Sequence, residues 1–357
     1  MNMAGKFSLN GTRSIVQTLR SLKLRTWLSS ALLVTAFARS SGFAQTPKYQ
    51  YVRMGNPYDV QTKTDAGTAM MGGGTDLDEA FRWLCNKGHG GDFLILRATG
   101  SDDYNAYVNG LCKANSVATL IIPDRNAARE PNVAEIIVKA EVLFVAGGDQ
   151  SNYVRGWMGT PVQEAINAHV AAGKPIGGTS AGLAVEGEFV YGCLKDKPTD
   201  KNLASSDVLP DPYFDRVTLV RDFLKVPHLE KLITDSHFAQ RDRMGRSLGF
   251  LARIIQDGWS SSPSEVAVDQ KSAVLVEGNG KATVVGTGKG AYFLRPTESP
   301  EICKPGQALT FRNIEAYRVS AGGHFDLNSW TGDGGVTYSL NVVQGKIHST
   351  QAGGSIY

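Results

Sequence analysis

A chain of 357 residues with 42% hydrophobic and 20% charged residues carries enough apolar material for one large domain or two ordinary ones, and too much for a disordered chain. Its one long apolar window, near residues 27–38, is broken by Ser29, Ser30 and Thr35 and falls short of the ~20 residues a spanning helix needs, which excludes a polytopic membrane protein. The net charge of +3 is carried by the first 44 residues, which hold Lys6, Arg13, Arg20, Lys23, Arg25 and Arg39 and no acid; the rest is mildly acidic and offers nothing to nucleic acid or anionic lipid.

Those first 44 residues read as an address. A basic stretch ends at Arg25, an apolar run follows from Trp27 to Ala38, and the small residues Gly42 and Ala44 close the segment. That is the layout of a secretory signal peptide cut after Ala44, and it implies a periplasmic or secreted protein that keeps no membrane segment once processed. The alternatives are an uncleaved anchor or a tail. All four cysteines, Cys85, Cys112, Cys193 and Cys303, follow the cut. Export permits disulfides, and Cys85 with Cys112 is the preferred pair because both sit near the ends of neighbouring predicted helices. Four buried thiols are the other possibility. No CxxC spacing, ligand-spaced His/Cys/Asp cluster or phosphate-loop lysine motif is present, so neither metal nor organic cofactor is expected.

From residue 45 the chain is irregular, then extended over Tyr49–Met54 and Thr68–Met71, the latter running into Gly72-Gly73-Gly74. Helices are predicted over Asp76–Lys87, Asp102–Ala114, Asn132–Lys139, Ser151–Trp157 and Pro161–Ala172. Strands are predicted over Asp92–Ala98, Val117–Ile122 and Val142–Ala146, and a further one leads from Pro175-Ile176 into Gly177-Gly178. Short apolar strands alternating with helices indicate a parallel sheet covered on both faces. Residues 194–217, rich in Lys, Asp, Pro and Ser, read as a long surface loop. Next come a strand at Leu229–Thr234, the segment Asp235-Ser236-His237-Phe238, and then a helix through about Ile255. Two strands, Val266–Asp269 and Ala273–Glu277, are joined by a turn at Asp269–Lys271. Beyond Gly278 only short strands between glycine-rich turns are expected. The division is therefore an α/β domain over 45–277 and a β-rich extension, 278–357, packed on the same body.

Gly178-Thr179-Ser180-Ala181-Gly182 is a G-x-S-x-G turn between a predicted strand and a predicted helix. Such a turn strains the serine, exposes Oγ at the carboxyl end of the sheet, and aims the amide of Ala181 and the helix N-terminus at one point. The plainer alternative is a serine that caps the helix. Among six histidines, His237 stands out. It follows a strand-like segment and precedes Arg241, Arg243 and Arg246, which on a helix would not share one face.

These motifs carry a resemblance. Phe144–Gln150, Gly178–Gly182 and Asp235-Ser236-His237-Phe238 with Arg241, Arg243 and Arg246, followed by Ala321–Leu327, resemble the cyanophycinase family of serine peptidases over roughly residues 67–330. The resemblance implies a class I glutamine-amidotransferase-like, flavodoxin-like α/β fold: three layers, a mostly parallel sheet flanked by helices, with the β-rich extension. It implies hydrolysis of β-aspartyl (β-Asp-Arg) linkages in a peptide or polymer rich in aspartate and arginine, and a homodimer as in other members. Ser180 would be the nucleophile and His237 the general base. Ala181, Gly148 and Gly147 would supply oxyanion donors, and Gln150, Asp235, Arg241, Arg243 and Arg246 would line the substrate pocket.

Two positions depart from the family. Ser236 stands where a glutamine is usual, and Gln270 stands where the third triad member is usually glutamate. Asp269 is the first candidate for that role, with Glu265 and a neutral Gln270 as alternatives, because an amide can still orient an imidazole. Two other functions stay open. An esterase would order serine, acid, histidine, making His324 the base. A secreted binding protein of the same fold would have lost catalysis through Gln270.

Overall fold

The computed structural model describes residues 48–197 and 199–357; the signal-peptide expectation for 1–44 lies outside them. Among the described residues no helix is long and apolar enough to cross a membrane. Residues 48–357 belong to one compact unit.

Among the described residues sixteen strands follow in chain order: β1 Gln50–Gly55, β2 Gly67–Met71, β3 Asp92–Arg97, β4 Ser116–Ile121, β5 Val142–Val145, β6 Ile176–Thr179, β7 Phe189–Tyr191 and β8 Leu219–Arg221, then β9 Leu232–Asp235, β10 Ser264–Val268, β11 Ser272–Glu277, β12 Lys281–Gly286, β13 Ala291–Pro296, β14 Phe311–Asp326, β15 Thr331–Val343 and β16 Lys346–Ser349. The helices are α1 Asp78–Lys87, α2 Asp103–Leu111, α3 Pro131–Lys139, α4 Gln150–Trp157, α5 Pro161–Ala171, α6 Ser205–Val208 and α7 Met244–Gln256.

The strands join in the order β1-β4-β3-β5-β6-β2-β11-β12-β14-β13-β10-β9-β7-β8. From β4 to β2 all pairings are parallel, as they are among β7, β9 and β10. Alternation along the parallel strands feeds two cores. Leu94, Leu96, Leu143 and Val145 pack with Val133, Ile137, Trp157 and Ile166 of α3–α5. Phe93, Ile95, Val142 and Phe144 face Ala80, Phe81, Leu84 and Val108 of α1 and α2. Period-two side chains on a buried strand account for this three-layer arrangement. A disulfide joins Cys85 to Cys112 beside the second core, and Cys193 and Cys303 are free thiols.

Three expectations are corrected. The C-terminal strands are not an addition to a finished sheet: β11 pairs with β12, so the 277/278 boundary falls inside a hairpin. β14 and β15 are 16 and 13 residues long rather than several short strands, because a register shift between Val319 and His324 absorbs the glycine run Gly322-Gly323 without ending the ladder. The turn expected at Asp269–Lys271 joins strands in different parts of the sheet: β10 joins β9 and β13, while β11 joins β2 and β12. Finally, residues 194–217 are not wholly superficial. Leu203, Val208, Leu209 and Val217 are buried, and α6 lies against α7, where a Cβ on Gly249 would stand 2.3 Å from Val208 Cγ1.

Candidate active site

Three strand ends converge. β6 ends at Thr179, neighbouring β2 at Met71, and β9 at Asp235, each followed by a turn at the carboxyl side of the parallel sheet, where open α/β folds place their chemistry. Ser180 lies on the first turn with φ 54° and His237 on the third with φ 47°. Their side chains meet: Ser180 Oγ is 2.7 Å from His237 Nε2.

The glycines around Ser180 have specific steric reasons. A Cβ on Gly182 would lie 1.9 Å from Val145 O, and one on Gly178 would lie 2.6 Å from the Gly182 carbonyl carbon. The element after Ser180 is a short 3-10 turn, Leu183–Val185, rather than the expected helix. No α-helix therefore starts directly after the serine, and an oxyanion there would be met by individual N–H groups of the turns. The amides of Ala181, Gly147 and Gly148 donate to no other protein group among the described residues. The turn carrying Gly147 is held by Tyr153, whose hydroxyl donates to Ala146 O at 2.7 Å.

The loop after β2 ties these turns together. The Ser180 amide donates to Met71 O, the His237 amide to Gly72 O, and the Lys271 amide to Gly73 O, at 3.1, 2.8 and 3.0 Å. A Cβ on Gly73, at φ 85°, would stand 2.6 Å from His237 Cε1 and Nε2. Asp76, on the same loop, accepts from Thr179 Oγ1 at 2.6 Å and from the Tyr104 hydroxyl. The triple glycine was the available signal: backbone must pass under an imidazole there.

At the other ring nitrogen stands Gln270, with its amide 2.6 Å from His237 Nδ1. Asp269 does not take that place; its Oδ1 accepts from the amides of Ala239 and Gln240 at 3.0 and 3.2 Å, pinning the turn after His237. Glu265 is fully buried and accepts from Ser247 Oγ at 2.5 Å. The Gln270 atom at 2.6 Å from His237 Nδ1 is the amide nitrogen Nε2; with Ser180 donating to the ring Nε2 the ring hydrogen is on Nδ1, and the amide accepts it only when turned over to present Oε1.

The arginines divide. The helix expected after Phe238 begins only at Met244, so Arg241 and Arg243 precede it and helical spacing does not govern them. Both Arg243 and Arg246 close on Asp235: Arg243 Nη1 donates to Oδ1 at 3.0 Å, and Arg246 donates from Nε to Oδ2 at 2.7 Å and from Nη2 to Oδ1 at 2.5 Å. Burial pushes the Asp235 carboxyl up, but the two guanidiniums outweigh it and hold it below the usual range. Arg246 also donates to Leu203 O at 3.0 Å, joining the 194–217 segment to the cluster. Arg243 Nε is buried with no partner among the described residues. Arg241 is half-buried, with Nη1 3.3 Å from Asn202 Oδ1. Gln150 begins α4 and donates to Tyr191 O at 3.3 Å. His324 sits on β14 opposite β12, 3.1 Å from Thr283 Oγ1.

Burial above all, then Arg241 and Arg243, lower the His237 pKa to about 3. The imidazole is therefore neutral across the physiological range and able to accept a proton.

The description "Peptidase family S51" belongs to a family whose model matches residues 71–246. The chain is 26% identical over 221 residues to a cyanophycinase of Trichormus variabilis, covering 60% of this chain and 66% of that protein. To a cyanophycinase of Geminocystis herdmanii it is 29% identical over 175 residues, 48% of this chain and 59% of that one. The matches thus span less than two thirds of these relatives' own length. Among solved structures, the chain is similar to a peptidase from an acI-B1 Actinobacterium, with TM-score 0.48 and 16% identity over 74% of this chain and 98% of that one.

Proposed function

We propose that this chain, which belongs to peptidase family S51, is a serine peptidase that hydrolyses β-aspartyl linkages of the β-Asp-Arg kind, in cyanophycin or a small peptide derived from it. The observation that carries the reading is the 2.7 Å contact between Ser180 Oγ and His237 Nε2, made from a strained turn beside amides that donate to no protein group among the described residues.

In the proposed reaction Ser180 Oγ bonds to the scissile carbonyl carbon while its proton passes to His237 Nε2. The carbonyl π pair moves onto oxygen, facing the amides of Ala181 and Gly148. The tetrahedral species collapses as Nε2 returns the proton to the leaving amine, and the C–N bond breaks. Water, deprotonated by the same imidazole, then clears the acyl-enzyme. Arg241, the least engaged of the three arginines, and the Nε of Arg243, unpartnered among the described residues, suit an anionic substrate group. His324, engaged with Thr283, takes no part in this scheme.

Export of the chain after loss of residues 1–44 belongs to the same proposal, and the Cys85–Cys112 disulfide supports an oxidising compartment. The test is incubation of wild type and Ser180→Ala with insoluble cyanophycin and, separately, with β-Asp-Arg, products read by mass spectrometry. Release of aspartate- and arginine-containing products by wild type alone is expected. Binding of the dipeptide without turnover, and no labelling of Ser180 by an active-serine probe, would identify a binding protein instead.

A further inference from the structure

α7 begins without a cap of its own. Residue 243, just before its first turn, is an arginine, and a guanidinium has no acceptor to offer the amides that start a helix. Two distant segments supply the acceptors instead. Ser205 Oγ takes the Gly245 amide at 2.8 Å, and Tyr357 Oη takes the Met244 amide at 2.8 Å. The Tyr357 hydroxyl also donates to Asp242 Oδ1 at 3.1 Å. One oxygen thus holds the residues on both sides of Arg243, where Asp242 has left-handed backbone with φ 47°.

The same side chain reaches the neighbours of His237. Arg243 Nη1 donates to Ser236 O at 2.7 Å, so the held arginine holds the residue before the imidazole. The Tyr357 ring meets Phe238, the residue after it, edge-on with centroids 5.7 Å apart, and meets Tyr292 of β13 likewise at 6.0 Å. Tyr357 is itself tied down through its neighbour: the Tyr338 hydroxyl on β15 donates to Ile356 O at 3.2 Å.

Resting on the peptidase reading above, we propose that Tyr357 is a positioning residue of the active site, whose hydroxyl sets the turn carrying Arg241 and Arg243 and whose ring braces the turn carrying His237. It acts through those two turns rather than on the substrate. The two parts of the side chain therefore have separable effects. Loss of the hydroxyl strands the Met244 amide and frees the arginine turn, which weakens substrate binding. Loss of the ring removes the packing against Phe238 and lets the imidazole drift from Ser180, which slows the chemical step.

The experiment measures Tm, and kcat and KM on β-Asp-Arg, for wild type, Tyr357→Phe and Tyr357→Ala. Tyr357→Phe is expected to raise KM by about 3- to 10-fold, the range of one lost hydrogen bond, with kcat within about twofold of wild type. Tyr357→Ala is expected to add a loss of about tenfold or more in kcat. An unchanged KM in Tyr357→Phe, a kcat in Tyr357→Ala equal to that of Tyr357→Phe, or a lowered Tm as the sole effect overturns the proposal. Tyr357→Phe keeps the ring and decides alone if Tyr357→Ala does not fold. Absence of any wild-type turnover of β-Asp-Arg is a separate outcome; it overturns the peptidase reading and this proposal with it.

Discussion

Ser180 and His237 both hold left-handed backbone, at φ 54° and 47°, on the two sides of their 2.7 Å Oγ···Nε2 contact. Each conformation costs roughly 1–3 kcal/mol in a residue with a Cβ. Their amides are anchored to consecutive carbonyls, Met71 O and Gly72 O, so one short loop holds both strained residues at the distance a proton transfer requires.

Replacing Ser180 by glycine removes the strain together with the nucleophile. Ser180→Gly is expected to fold, to be more stable than wild type by about 1 kcal/mol, and to be inactive. Urea denaturation of the two proteins side by side checks this; a variant less stable than wild type would mean that the turn is not under strain.

Gly73 is the reverse case. Alanine there meets both the cost of φ 85° and a Cβ 2.6 Å from the imidazole. Gly73→Ala is expected to lose about 1–3 kcal/mol of stability and most of its turnover, since the ring must move away from Ser180. Thermal unfolding and dipeptide hydrolysis report the two effects separately, and unchanged turnover would refute the close approach.

Glu186 follows the nucleophile turn with both carboxyl oxygens buried and unpartnered among the described residues. Burial raises its pKa well above the ordinary carboxylate value. The neutral acid's contribution is present below the unfolded pKa and is lost as pH rises towards the folded one. Glu186→Gln removes that loss, so the Tm difference, variant minus wild type, is expected to be small in acid and to grow from about pH 4.5 upwards. A difference independent of pH would show that the carboxyl is ionised at no cost in the fold.

Asp235 is fully enclosed and holds Arg243 and Arg246. Asp235→Asn strands two buried guanidiniums with one less negative charge, and is expected to cost about 3–5 kcal/mol. Chemical denaturation measures it. A loss below ~1 kcal/mol would show that the cluster is open to water and screened like a surface pair.

Much of this protein is determined locally and could be read from the chain. Alternating apolar segments specify the parallel strands and the helices between them, because each buried face needs its own period of side chains. Gly178–Gly182 marks the tight bend around Ser180, since its glycines answer to backbone a few residues away or on the adjacent strand. What only the tertiary structure decided is which groups meet across long separations. Asp269, Gln270 and Glu265 are nearly adjacent, yet one pins the turn after His237, one touches the imidazole, and one is buried against α7. The reason is that β10 and β11 pair with different partners, so the turn between them spans two parts of the sheet and its backbone path sets each side chain's direction. Arg243 and Arg246 likewise meet at Asp235 because α7 begins later than helical periodicity suggests. Periodicity records which face of an element is buried; it carries no record of the distant strand that will supply the neighbour.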